Sequence, residues 1–241
     1  MAIKSITYNN KTFDINYEIL NPINTKTIIF LHGWGSNKEI MKQAFSKVCS
    51  TFKHIYIDMP GFGKSDNKYI LTTQDYGNII KIFLETLKID TAQTTIAGHS
   101  FGGKVATLLQ PSHLILLSSA GILETKSAKT LLTIRMAKIF NKFGLGKVTK
   151  LLRSGDVNMM SENMYATFKN VVDEDFSSIF ASYDGKTSIF WGENDTATTL
   201  NSGKTIHKLI KNSTFKSYKG DHYFFLDKNN IKHMEQDICN I

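Results

Sequence analysis

Thr94-Thr-Ile-Ala-Gly-His-Ser100-Phe-Gly-Gly-Lys-Val-Ala-Thr-Leu-Leu109 opens as a β-rich apolar run and closes as a helix former. Between the halves lies Gly98-His-Ser-Phe-Gly102, a GxSxG pentapeptide that directly follows a strand and directly precedes a helix. That context demands a sharp turn. Small residues on both sides of the serine let the backbone pack there, and the turn lifts the Ser100 hydroxyl to a helix N-terminus. Unpaired N–H groups at such a terminus favour developing negative charge. Ser100 is therefore the candidate nucleophile, and the backbone N–H of Phe101 a candidate oxyanion donor.

Outward from this stretch the alternation of strand and helix continues. Ile28–Leu31, His54–Ile57, Leu114–Leu117 and Ser188–Trp191 are continuously apolar, as strands buried on both faces of a parallel sheet are. Helical patterns occupy 38–49, 72–88, 101–109, 198–210 and 228–238, the second opened by the capping motif Thr72-Thr-Gln-Asp75. Residues 3–8 and 12–20 alternate like half-exposed strands joined in a hairpin through Asn9-Asn10. The pattern predicts an α/β layered fold with right-handed crossovers. From Gly121 to Tyr183 the sequence is helical in pattern and supplies no strand. We expect a helical insertion, 121–183, within a single domain spanning 1–241.

A serine hydroxyl needs an oriented base. Seven histidines compete. His54 and His113 lie in strand runs, His207 and His233 in helical segments, and His99 is too close to Ser100 on a tight turn. His32 leads a glycine-rich loop. His222 follows the last strand pattern in Gly220-Asp-His222 and is the best candidate base. Its carboxylate partner is expected on the loop that ends Ser188-Ile-Phe-Trp-Gly-Glu-Asn-Asp195, with Asp195 preferred, Glu193 in reserve and Asp221 adjoining the histidine. A second oxyanion donor is expected in His32-Gly-Trp-Gly35, where the Trp34 N–H is chosen. The order Ser100, Asp195, His222 is nucleophile, acid, base, unlike the orders of chymotrypsin and subtilisin.

These residues carry a resemblance. His32-Gly-Trp-Gly35, Asp58-Met-Pro-Gly-Phe-Gly-Lys-Ser65, Gly98-His-Ser-Phe-Gly-Gly103, Trp191-Gly-Glu-Asn-Asp195 and Gly220-Asp-His222 resemble the α/β-hydrolase superfamily over most of the chain. The resemblance implies a mostly parallel, eight-stranded sheet flanked by helices, with a helical cap inserted after the sixth strand. Serine at position 100 speaks against haloalkane dehalogenases and epoxide hydrolases, whose nucleophile is aspartate. Two subfamilies are similar: the pimeloyl-carrier-protein methyl ester esterases, and more loosely the meta-cleavage-product hydrolases. The latter usually carry Asn before the nucleophile and Trp after the histidine, where this chain has His99 and Tyr223. An ester or thioester hydrolase is favoured. Carbon–carbon hydrolysis of a 2-hydroxy-6-oxo-dienoate and a non-catalytic binding protein on the same fold are the alternatives.

Over 241 residues, Lys+Arg 29 against Asp+Glu 21 gives a net charge of +8. Between Ile122 and Arg153 stand Lys126, Lys129, Arg135, Lys138, Lys142, Lys147, Lys150 and Arg153 against Glu124 alone, a net +7. Leu131, Leu132, Ile134, Ala137, Ile139 and Phe140 are interspersed, so the segment reads as a basic amphipathic helix. It is either a solvated face of the cap or a surface for an acidic acyl carrier protein or anionic substrate, with lipid and nucleic acid as lesser readings. No nucleic-acid-binding motif accompanies it. Cys49 and Cys239 lie far apart and outside any CxxC, which excludes a disulfide scaffold or zinc ribbon and fits a reducing compartment. No signal core opens the chain, and no run approaches the about 20 apolar residues of a membrane span. A cytoplasmic enzyme using neither cofactor nor metal is expected, acting on a small-molecule ester or acyl substrate.

Overall fold

The computed structural model describes residues 1–124 and 160–239. At its edge, β1 (Ala2–Tyr8) turns into β2 (Lys11–Leu20) through Asn9 and Asn10, at φ 49° and 58°. A two-residue hairpin turn with both central residues at positive φ matches the strands' twist, and Asn adopts that region more readily than most residues. The remaining strands are β3 (Thr27–Leu31), β4 (Lys53–Ile57), β5 (Thr95–His99), β6 (His113–Leu117), β7 (Lys186–Gly192) and β8 (Ser213–Tyr218). They form one eight-stranded sheet in the order β1-β2-β4-β3-β5-β6-β7-β8. β2 runs antiparallel to β1 and β4, and every other pair is parallel. This is the mostly parallel α/β sheet that the apolar runs and the resemblance imply.

Side chains along each buried strand alternate between two cores. Ile28 and Phe30 of β3 face α1 (Lys38–Phe45) and α7 (Lys228–Cys239), meeting Met41, Phe45, Met234 and Ile238. Ile29 and Leu31 join the opposite core with α2 (Thr73–Thr86), α3 (Phe101–Leu108) and α6 (Leu200–Leu209). Each fully buried aliphatic or aromatic side chain contributes roughly 1.5–3 kcal/mol, so a strand shared by two cores must be apolar throughout. The Thr72 hydroxyl accepts from Asp75 N–H at 3.1 Å, and the Asp75 carboxylate accepts from Thr72 N–H at 2.7 Å. That reciprocal cap starts α2 where the sequence places it.

Sheet order positions the site. The chain leaves β3 to build β4 on one side and later returns to build β5 on the other. The helix after β3, α1, covers one face, while the helix after β5, α3, covers the opposite face. The loops leaving the carboxyl ends of β3 and β5 therefore diverge and open a crevice, the usual binding position in such sheets. β7 and β8, parallel to both, deliver their own loops to the same edge.

Within the expected insertion, α4 (Glu162–Val171) and α5 (Ser177–Ser182) are helical and no strand occurs among the described residues. Residues 125–159, including the basic run Lys126–Arg153, lie outside the described residues. At the segment's entry, the Glu124 carboxylate accepts from Thr199 N–H at 2.6 Å, at the start of α6. An acidic group at a helix N-terminus is favoured by the helix dipole.

One expectation is corrected. Cys49 and Cys239 form a disulfide, with Cα atoms 5.4 Å apart, joining the loop after α1 to the last residue of α7. Spacing hides this pair because packing of the first and last helices on one sheet face makes the contact. The two cysteines thus give no support to a reducing compartment. Among the described residues no helix is long and apolar enough to cross a membrane.

Candidate active site

Ser100 sits between β5 and α3 at φ 51°, ψ −115°. A residue with a Cβ is strained there by about 1–3 kcal/mol and stays only where its surroundings fix it. Three hydrogen bonds do so. Ser100 N–H donates to Leu117 O at 3.1 Å, and Ser100 O accepts from Gly103 and Ala120 N–H, each at 3.0 Å. The flanking glycines are required by contact: a Cβ on Gly98 would strike Gly102 O, and one on Gly102 would lie 2.5 Å from the carbonyl oxygens of Leu31 and His32. Phe101 is the first residue of α3, so its N–H has no acceptor within the helix.

Asp195 and His222 come together from the loops after β7 and β8. The Asp195 side chain is fully buried, and its Oδ2 lies 2.8 Å from His222 Nδ1, whose side chain is 16% exposed. Oδ1 accepts from Ala197 and Thr198 N–H at 2.8 and 3.0 Å, and Oδ2 accepts from the Thr198 hydroxyl at 3.0 Å. Burial pushes the Asp195 carboxyl upward, but the hydrogen bonds and charge of His222 and Thr198 prevail and bring it down to about 2. An ionised carboxylate can only accept, so Nδ1 of His222 carries the proton and neutral His222 has a bare Nε2. Glu193 is exposed and accepts from the Ser217 hydroxyl at 3.2 Å, and Asp221 is taken by Tyr223 N–H at 2.8 Å. The structure therefore brings Asp195, rather than Glu193 or Asp221, to the histidine.

The loop after β3 is locked by its own histidine. His32 is wholly buried, and burial above all lowers its pKa to about 4, so the ring is neutral. Its Nδ1–H donates to Gly33 O at 2.8 Å while Nε2 accepts from Met59 N–H at 3.1 Å. That ties the His32–Gly35 turn to the loop after β4. The same two loops are joined by Asp58, which accepts from Lys38 Nζ at 2.8 Å, Lys38 N–H at 2.7 Å and Lys64 N–H at 3.0 Å. Gly33 has no room for a Cβ, which would stand 3.2 Å from Ser100 Cβ, so Trp34 is carried close over the serine turn. The Trp34 ring packs edge-on against Phe101 and Phe62, at 5.5 and 4.8 Å. Beside it opens a cavity of about 680 Å³ lined chiefly by Trp34, Phe62, Met160, Met164 and Tyr223. Among the described residues no group of three or more His, Cys, Asp or Glu side chains could hold a metal ion.

Two contacts escape sequence reasoning. Thr198, which touches both Asp195 and, at 3.4 Å, His222 Nδ1, is signalled only by the Asp-x-x-Thr spacing that lets an aspartate accept from N–H groups just ahead of it. His99 points away from Ser100, as its place on the turn suggests, but it meets the His222 main chain across 123 residues. His54 and His113 are buried in structural hydrogen bonds, to Tyr56 and Cys49 and to Ser188 respectively, while His207 and His233 are exposed.

Residues 28–196 match the model of the alpha/beta hydrolase family, a span that includes the Trp34 loop, Ser100 and Asp195. The chain belongs to this family. The pimeloyl-(acyl-carrier protein) methyl ester esterase of Proteus mirabilis is 30% identical over 53 residues, 22% of this chain and 20% of that one. The chain spans 17–29% of the length of three other curated relatives that it matches. Among solved structures, a thermophilic esterase from Thermogutta terrifontis is similar with a TM-score of 0.75 and 16% identity, over 100% of this chain and 97% of that chain. The meta-cleavage product hydrolase of Pseudomonas fluorescens IP01 is similar with a TM-score of 0.69 and 18% identity, over 98% and 96%. At such identities the likeness is one of fold.

Proposed function

We propose that this chain is a hydrolase that cleaves carboxylic esters or thioesters through Ser100, His222 and Asp195. The observation that carries the reading is the Asp195–His222 pair: an ionised, buried carboxylate holds Nδ1–H and leaves Nε2 free to act as base. Ser100 Oγ attacks the carbonyl carbon as its proton passes to Nε2. The tetrahedral oxyanion is received by the N–H groups of Phe101 and Trp34, each worth roughly 10²–10³ in rate. His222 then returns the proton to the leaving alcohol or thiol, and water repeats the sequence on the acyl-enzyme. Asp195 stays ionised throughout and stabilises the imidazolium.

The cavity of methionine and aromatic side chains beside Trp34 suits an apolar acyl group, and Met160 and Met164 of the proposed cap insertion line it. The name of the Proteus relative, together with the net +7 between Ile122 and Arg153, supports an acyl group delivered on an acidic carrier protein. A fluorophosphonate probe and a p-nitrophenyl ester series test the chemistry. Wild type should be labelled and should hydrolyse the esters, Ser100→Ala should do neither, and a dienoate chromophore should be left intact. Turnover of the dienoate in preference to esters would replace this reading with carbon–carbon hydrolysis.

A further inference from the structure

His99 takes no part in the reaction above, yet it is 1% exposed and its ring meets two segments that build the site, the loop after β8 and the turn at Gly33. Its Nε2 lies 3.0 Å from the main-chain oxygen of His222, and the two imidazole rings are 4.5 Å apart. On its other side, a Cβ on Gly33 would stand only 2.9 Å from His99 Nδ1. A carbonyl oxygen can only accept, so Nε2 carries the proton. Nδ1 is then bare, and among the described residues it has no partner. Burial and the adjacent His222 hold the ring well below the usual imidazole range, so it is neutral. A protonated neighbour at this distance would oppose formation of the His222 imidazolium. Tyr223 closes the arrangement, 5.0 Å from His99 and 5.6 Å from His222.

We propose that His99 is a positioning residue for the base: its Nε2–H sets the place of the His222 main chain, and its ring sets the tilt of the His222 imidazole. Packing alone would ask only for an aromatic ring of similar size. A positioning role asks for a donor at one point, because a misplacement of about 1 Å in a reacting group can cost a hundredfold in rate. The inference rests on the Ser100–His222–Asp195 reading.

Three substitutions separate the roles. Phe keeps the ring and loses the donor. Gln can place an amide nitrogen where imidazole Nε2 lies, whereas Asn places one near Nδ1, against Gly33. On a short p-nitrophenyl ester, kcat should fall about ten- to a hundredfold in His99→Phe and His99→Asn, with KM within about twofold of wild type. His99→Gln should keep most of the rate. A fully active His99→Phe, or a His99→Gln as impaired as His99→Phe, overturns the proposal. If melting shows that His99→Phe does not fold, the Gln and Asn variants decide, and equal kcat in the two overturns it. His222→Ala is run alongside. Hydrolysis that survives it defeats the triad reading itself, whereas its loss beside an active His99→Phe defeats only the positioning role.

Discussion

Ser100 holds a backbone conformation that a residue with a side chain resists, and the proposed role as nucleophile gives a reason for keeping the strain. Glycine at this position would relieve it. Ser100→Gly should abolish ester turnover and raise Tm by a few degrees, since relief of about 1–3 kcal/mol outweighs the glycine's entropic cost of about 0.5–1 kcal/mol. Equal melting of the two proteins, read by calorimetry, would show the turn to be unstrained. At Asp195 the test is chemical. Asp195→Asn puts an amide opposite His222 Nδ1 and permits the wrong tautomer, so kcat should drop by about 10⁴, while Glu193→Gln should change little. The Asp195 carboxyl titrates lower in the folded protein, at about 2, than the ordinary 3.8. Its stabilising contribution is therefore complete above pH 3.8 and is lost as pH falls through about 2. Any acid limb seen in kcat above that window belongs to another group. Ser100 and His222 are legible in sequence because each is punctuated by glycine beside a strand, and Asp195 because it ends a strand's loop. Thr198 and His99 are not, because their meaning lies in contacts between loops that only the sheet brings together.

Among the elements, the buried strands and their crossing helices are read easily because burial on two faces forces unbroken apolar runs. The hairpin and the α2 cap are local and equally plain. The partnership of α1 and α7 is not local, and the cysteines that seal it are therefore misjudged by spacing. Beyond the disulfide, the Cys49 N–H donates to Glu235 Oε1 at 3.2 Å, so the same contact is also made by a side chain of α7. Cys49→Ala should lower stability by about 2–5 kcal/mol, measured by urea denaturation without reductant. In the presence of a dithiol the wild type should fall to the same level. A variant as stable as oxidised wild type would mean that the thiols are not joined in solution.

For the whole molecule, a fold shared with esterases at 16% identity rests on pattern rather than on particular residues: which positions are apolar, where glycine sits, and where strand order reverses. The disulfide adds something that pattern does not supply. By joining positions 190 apart in sequence, it makes most of the chain a covalent ring with a free tail of the first 48 residues. Ser100, Asp195 and His222 all ride on the ring, whereas the His32–Gly35 turn belongs to the tail. One proteolytic cut anywhere between Cys49 and Cys239 should therefore leave a single species on a non-reducing gel and two after reduction; two species without reductant would mean an open ring. A cut ahead of Cys49 should behave differently, with the tail coming away on denaturation whether or not reductant is present. The proposed nucleophile, acid and base are thus bound to one another by covalent bonds in two directions, while the tail that carries Trp34 is joined to them by one.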